Sequence, residues 1–481
     1  EASRYSDAAT GRRSPRQNRQ VSLFSMAWAN LGRSRGKTAL TVLSLSLASL
    51  LLTLTVTFTG GFDMDKYISN FTASDFILAD AGQFQTSGEL FHSEMGIPQD
   101  VIETVSSQGG IAAAGWIYGR TSMISEFVTE EYYRTLHSRW YSPQQMDSIV
   151  SSQERREGLL QDTAQLYGMD PFAMDYLHVL EGDLSGLYEP GSRCIAAVYS
   201  EDEYGQADQT SHWAKLGDTV TLRYVDEYEY YDPATGESYS VGEALPEDAS
   251  LSVRALRYRE EEYTVTALVS VPYAFSYRYY GSDEFVLGSD TFLRDTGTDS
   301  VMYYAFDVEP AETDRMEAFL QEYTENENPR LDYESKQQYA AQFAGIKRLF
   351  LLLGGALSFV VGLVGILNFF NAILTGITAR RRELAVLQAI GMTSRQLQGM
   401  LALEGLLYTV SSIVLAFFLL AVTAPFLGSV LNQAIWFFSY RFVLWPLVLL
   451  LPLFAALGVL IPLLSCRSAR KSSVVKRLRQ E

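Results

Sequence analysis

ITARRRELAVLQAIGMTSRQLQGM, residues 377–400, is a basic, helix-patterned stretch set between two long apolar runs. Arg380, Arg381, Arg382 and Glu383 lead into Leu384, Leu387 and Ile390, three apolar residues at helical spacing, which predicts a short helix with one apolar stripe. Gly391 tolerates the left-handed backbone at which helices commonly end. Thr393 and Gln396 have the spacing of a capping box, so a second helix is expected to start there and run into the apolar segment that follows. The pair forms an elbow. A basic flank is the ordinary neighbour of any membrane span and explains the arginines, but it leaves the stripe unexplained.

Working outward, four runs are long enough to cross about 30 Å of hydrocarbon. They lie at 38–60, 346–375, 401–427 and 442–464. Residues 1–37 hold eight basic and two acidic side chains, residues 375–400 four and one, and residues 465–481 six and one, whereas 61–345 holds 17 basic against 51 acidic. Basic flanks stay in the cytoplasm, so both termini and the elbow are expected inside and 61–345 outside. This is the charge pattern of a multi-pass cell-membrane protein. The acidic exterior argues against nucleic acid as a partner. Of the two cysteines, Cys194 falls outside and Cys466 at the inner face, so no bridge between them is expected.

From Arg381 to Gln396 the pattern of basic residues, Glu-Leu-Ala-Val-Leu-x-Ala-Ile-Gly and Met-Thr-x-x-Gln closely resembles the cytoplasmic loop of the FtsX/MacB-like ABC transporter permeases. That resemblance implies a loop that docks on a separate ABC ATPase subunit through Arg380, Arg381, Arg382, Glu383, Leu384, Leu387, Ile390, Gly391 and Met392. ATP would then be held by that partner, with no cofactor or metal on this chain. Ala27, Asn30, Leu31 and Arg33 resemble the family's approach to its first span, and Leu403-Glu404-Gly405 its third. Leu180-Glu181-Gly182, Leu216–Val220 and Tyr263–Ala267 are similar, more loosely, to the MacB-type periplasmic core. Residues 120–175 and 226–258 depart from that core and read as insertions. Glu1–Tyr5, EASRY, resembles the closing tail of a permease repeat, so the chain is expected to be the C-terminal half of a tandem permease, with an ordinary homodimer as the competing account.

Residues 1–20 read as a polar cytoplasmic linker and 21–37 as an amphipathic interfacial helix with Phe24, Ala27, Trp28 and Leu31 on one face. Gly32–Thr38 has three residues, not four, between its glycines and precedes an apolar span, so it is not a phosphate-binding loop. The first span carries Ser46, Ser49, Thr53 and Thr57 on one face. The second carries Gly354, Ser358 and Gly362 four residues apart, spacing that suits close helix contact either within the chain or with a second permease unit. Glu404 lies one turn inside the third span, where a lone carboxylate is costly and pairing with Arg380–Arg382 is expected. Pro446, Pro452 and Pro462 are expected to bend the fourth.

In the exterior segment, strands are predicted at Asp75–Asp80, Cys194–Tyr199, Gly217–Val225, Glu262–Val271 and Val301–Val308. Helices are predicted at Pro98–Ser107, Gln153–Leu166 and Ala311–Thr324. A further helix from Glu334 to Leu374 is read as one continuous lever. Within 61–345 lie 26 of the 29 tyrosines. They serve either a ligand-contacting aromatic surface or simply strand packing. His92, His137, His178 and His212 show no metal-ligand spacing, and no catalytic constellation is visible.

The fold class expected is an α-helical membrane protein with four transmembrane helices plus a large mixed α/β extracytoplasmic domain between helices one and two. Its parts are 1–20, 21–37, 38–60, the exterior 61–345, 346–375 with its stalk, the coupling loop 376–400, 401–427, 442–464 and the tail 465–481. The function expected from the resemblance is an ABC transporter permease working by mechanotransmission for export or extraction. The alternative is a signalling protein of FtsX type that senses a ligand or activates a cell-wall hydrolase.

Overall fold

The computed structural model describes residues 22–33, 35–85, 90–232, 235–239, 252–278 and 282–469. The linker 1–20 and most of the tail 465–481 lie outside the described residues. Contacts divide the chain into two compact units, Glu1–Asp63 with Gly345–Glu481, and Met64–Ala344.

Helix α1 spans Leu23–Arg33 and α2 spans Arg35–Gly60. The expected face of α1 is split. Ala27 is fully buried and Leu31 packs partly against the core with Leu23 and Met26, while Phe24 and Trp28 are exposed and stack on each other at 6.3 Å. The smallest side chain takes the place of closest approach and the bulky rings turn away from it. On α2, Ser46, Ser49 and Thr53 are buried. Their hydroxyls donate to carbonyls one turn back, Ser46 to Val42 at 2.8 Å, Ser49 to Leu45 at 2.9 Å and Thr53 to Ser49 at 2.8 Å. The stripe thus satisfies its own polar groups and leaves a narrow surface for close packing.

The second unit runs α3 (Met64–Phe71), β1 (Phe76–Asp80), α4 (Gln99–Ser106), β2 (Ile111–Arg120), β3 (Ile124–Val128), α5 (Glu130–His137) and α6 (Pro143–Ser152). It continues with β4 (Arg155–Arg156), β5 (Leu159–Met169), α7 (Pro171–Met174), β6 (His178–Gly182), β7 (Cys194–Val198), β8 (Thr219–Tyr231), β9 (Ser238–Tyr239) and β10 (Ser252–Ser270). It closes with β11 (Asp283–Gly288), α8 (Ser289–Thr296), β12 (Val301–Val308), α9 (Thr313–Glu322) and β13 (Leu331–Ser335). One sheet carries the unit in the order β11-β7-β10-β8-β3-β5-β2-β12-β1-β13. Because β11 also pairs in parallel with β5, from Asp283↔Ala164 to Gly288↔Met169, six of these strands close into a ring.

Two expectations are corrected here. Gln153–Leu166 is not a helix. Glu157 and Gly158 have φ of 53° and 89°, and this left-handed pair turns β4 back onto β5 as a hairpin. The helix lies just before it, at α6, behind a capping box made by Ser142 and Gln145. Residues 120–175 are no appendage, since β5 pairs with β2, β3 and β11 in the middle of the sheet. Of the two roles open to the tyrosines, packing is the one taken by Tyr167, Tyr199, Tyr224, Tyr263, Tyr303 and Tyr304, which are among the largest fully buried side chains. Their hydroxyls reach internal acceptors, as Tyr199 to the Ala214 carbonyl at 2.7 Å and Tyr263 to Asp295 at 2.9 Å.

The chain then enters α10 (Lys336–Ala379), α11 (Arg381–Ala389), α12 (Ser394–Ala434) and α13 (Trp445–Ala469). Helix α10 is unbroken over 44 residues, starting after Glu334 and Ser335, which belong to β13. Among the described residues four helices, α2, α10, α12 and α13 to Leu464, are long and apolar enough to cross a membrane. The glycine face of α10 is used inside the chain. A Cβ on Gly354 would come within 2.4 Å of Thr55 on α2, and one on Gly362 within 3.9 Å of Ala48. Ser358 is buried and donates to the Gly354 carbonyl at 2.7 Å. These small residues are therefore not left waiting for a second permease unit. Pro446 does not bend α13, because it occupies the first turn, where a missing N–H costs nothing; Pro452 and Pro462 lie inside the helix.

Candidate functional site

The elbow is built by backbone caps that the sequence encodes directly. At the end of α11, Gly391 donates to the Gln388 carbonyl at 3.2 Å and Met392 to that of Leu387 at 3.0 Å, closing the helix through a φ of 114° at Gly391. Two residues on, the Thr393 N–H donates to Gln396 Oε1 at 2.9 Å and the Gln396 N–H to Thr393 Oγ1 at 3.3 Å, which opens α12.

Arg380 sits where α10 gives way to α11. Its Nη2 donates to both oxygens of Glu404, at 2.9 and 3.0 Å, and its Nε donates to the Gly376 carbonyl at 3.1 Å. The Glu404 side chain is only 7% exposed, so this ion pair is a staple between α10 and the first turns of α12. Next to it, α12 crosses α13 almost backbone to backbone: a Cβ on Gly405 would meet the Gly458 carbonyl oxygen at 2.0 Å. The acidic residue and the tightest helix crossing thus fix one another's position.

The apolar stripe of α11 divides into two jobs. Leu384 and Ala385 are buried against the helical core, and Leu387 is half-buried. Ile390 is 79% exposed and Val386 45%. The expectation that Leu384, Leu387 and Ile390 together face a partner is therefore corrected, because a nine-residue helix needs an anchor side. The outward apolar pair is Val386 and Ile390, four residues apart on one face, a spacing readable in the sequence but passed over there. Arg382 and Glu383 are exposed beside them. The side chain of Arg381 lies outside the described residues, and Met392 packs partly against the core. Between α1, α11 and the start of α12 opens a groove of about 480 Å³, lined by Met26, Asn30, Arg380, Leu384, Leu387 and Met400 among others.

In the other unit, His137 Nε2 is 2.8 Å from Asp162 and His178 Nδ1 is 2.7 Å from Glu201. His212 is buried among aromatic rings. Among the described residues no three His, Cys, Asp or Glu side chains are grouped to hold a metal ion.

Residues 355–474, the stretch from mid-α10 through α13 and beyond, match the family model described as FtsX-like permease C-terminal. No curated protein matches the chain in sequence. Among solved structures, the extracellular domain of the noncanonic ABC-type transporter YknZ from Gram-positive bacteria aligns at 10% identity and a TM-score of 0.23, covering 50% of this chain and 89% of that one. The periplasmic region of MacB from Actinobacillus actinomycetemcomitans aligns at 10% identity and a TM-score of 0.29, covering 56% and 92%.

Proposed function

We propose that this chain is the membrane subunit of an ABC transporter complex, in which a separate ATPase docks on α11 and drives rearrangement of an extracytoplasmic Met64–Ala344 unit. The observation that carries the reading is the elbow. A short helix, closed at Gly391, followed by the capping box that opens α12 and anchored by Leu384 and Ala385, presents Val386 and Ile390 outward, the form of an apolar key for a partner groove. Arg380 ties the end of α10 to α12, so a push on α11 is passed to two membrane helices through an ion pair rather than through a loose loop. The unbroken run of α10 from the end of β13 to this staple supports mechanotransmission, with export or extraction of substrate by movement of the exterior unit.

In this reading ATP binds and is hydrolysed on the partner, and this chain contributes no catalytic residue. A second permease unit completes the complex in the bilayer. Co-purification tests the docking step. With Val386 and Ile390 both changed to Asp, the permease is expected to insert normally yet lose most ATPase activity from the complex isolated from native membranes. Retention of the ATPase by that double variant sinks docking through this face.

A further inference from the structure

At one end of the strand ring, β3, β5 and β11 place three carboxyls on one face. Glu126 pairs in register with Asp162, and Asp283 with Ala164, so all three share the side of the sheet that carries the core residues Ile124, Leu166 and Phe285. They are 1%, 6% and 3% exposed. Over them lie α5 and the segment His212–Lys215, with Met146 and Val150 of α6 packed behind Tyr133.

The hydrogen bonds around the three groups leave a specific deficit. Asp162 is complete: its oxygens meet His137 Nε2 at 2.8 Å and the Thr163 N–H at 2.8 Å. Glu126 Oε2 accepts from Trp213 Nε1 at 2.6 Å, and Asp283 Oδ1 accepts from the Tyr132 hydroxyl at 2.8 Å. Glu126 Oε1 and Asp283 Oδ2 are buried with no donor, although the two carboxyls lie within hydrogen-bonding reach of each other. Two adjacent anions, each with one buried oxygen lacking a donor, are far costlier than one hydrogen-bonded pair, and a single proton between them satisfies both orphan oxygens.

We infer that Glu126 and Asp283 share one proton, and that this proton is the clasp that holds α5, α6 and the His212–Lys215 segment closed over the end of the ring. Burial drives the Glu126 carboxyl well above its usual range, and the charge of Asp283 drives it further. The titratable groups that bear on the pair are Asp162 from β5, Tyr132 from α5 and His212 from the overlying segment; Tyr133 and His137 of α5 bear on Asp162, and Lys215 Nζ donates to the Tyr199 hydroxyl at 2.7 Å. From α6, Met146 and Val150 pack against Tyr133 and Asp147 pairs with Arg134, and Glu284, next to Asp283 on β11, points to the opposite face. Loss of the proton leaves two buried like charges whose nearest relief is water, and water enters only if the cap lifts. The site is therefore closed in the protonated form and opens as pH rises. It stands independently of the ATPase reading.

The test uses the full chain in lipid nanodiscs and follows two signals against pH: the infrared band of a protonated carboxyl, and amide hydrogen exchange of peptides from 130–152, corrected for the intrinsic pH effect. In the wild type the band is expected to bleach on alkalinisation while protection of 130–152 falls by up to about tenfold per pH unit, the limit for release of one proton. Glu126→Gln keeps the shape and supplies a permanent donor to Asp283, so in a Glu284→Gln background, which removes the separate contribution of Glu284, the band should vanish and protection should become flat with pH. If Glu126→Gln does not fold, Asp283→Asn asks the same question from the other side. A band and a pH response unchanged in these variants overturn the shared proton. Recovery of protection by calcium or sodium at alkaline pH, in the wild type but not in Glu126→Gln, also overturns it, because the pair would then be a cation site.

Discussion

Glu404 belongs to a class of residue whose removal costs more than its presence contributes. Held bidentately by Arg380 and almost fully buried, it could be exchanged together with its partner for apolar side chains at little loss, but deleting either alone strands a charge. Glu404→Ala is expected to destabilise the purified protein by on the order of 3–5 kcal/mol. The double variant Arg380→Met/Glu404→Leu should recover most of that in thermal melts, and a double variant as unstable as the single one would show that the pair is more than a staple. A second residue-scale prediction concerns Glu284, which accepts from Tyr167 at 2.7 Å. Burial raises its carboxyl to about 7, Asp283 adding to the rise and Tyr167 opposing it. A raised folded value means that the native state binds the extra proton, so the stabilisation is complete below the unfolded value near 4.5 and is lost as pH climbs through about 7. Glu284→Gln should flatten that part of the stability–pH curve by roughly 1–3 kcal/mol. The curve of the variant coinciding with that of the wild type would rule this out.

Among the elements, the elbow shows where reading the chain works and where it stops. Its caps are local: Gly391, Thr393 and Gln396 lie within six residues, and each bonds a residue three positions away in the chain. Its stripe is not local. Whether Leu384 or Ile390 faces the bundle depends on where α12 passes, which no periodicity over nine residues specifies. The strand pair β4–β5 failed for a related reason, since its turn is carried by Glu157 and Gly158, and only the neighbouring strands distinguish a buried β5 from a helix of the same composition. From the elbow follows a prediction about coupling as distinct from docking. Gly391→Val forces a β-branched residue to φ near 114° and should melt the junction while sparing Val386 and Ile390. The complex is then expected to form but to lose stimulation of ATP turnover by the permease, measured as ATPase activity per complex. Full stimulation in Gly391→Val would show that the elbow need not be rigid.

For the molecule as a whole, orientation is the property most open to direct measurement. With Cys194 and Cys466 replaced by Ser, new cysteines at Ser151 and at Arg395 are expected to meet a membrane-impermeant maleimide from opposite sides: the first in intact cells, the second only after permeabilisation. The motivation is the division of charge, 17 basic against 51 acidic residues in 61–345 and a basic excess on the other flanks. Both sites labelling in intact cells would defeat the arrangement.

The sequence by itself determined the four long apolar helices, the capped elbow, the mixed composition of Met64–Ala344 and the resemblance to permeases, because each rests on runs or motifs whose physics acts within a few turns of chain. The tertiary structure decided which faces those elements use. It spent the glycines of α10 on α2, closed six strands into a ring through the β5–β11 pairing, turned the tyrosines inward, and brought Glu126 and Asp283, 157 positions apart, to the same buried face. Such choices follow from strand order and helix crossing, where the competing arrangements are nearly equal in local energy and only the closing of the whole core distinguishes them.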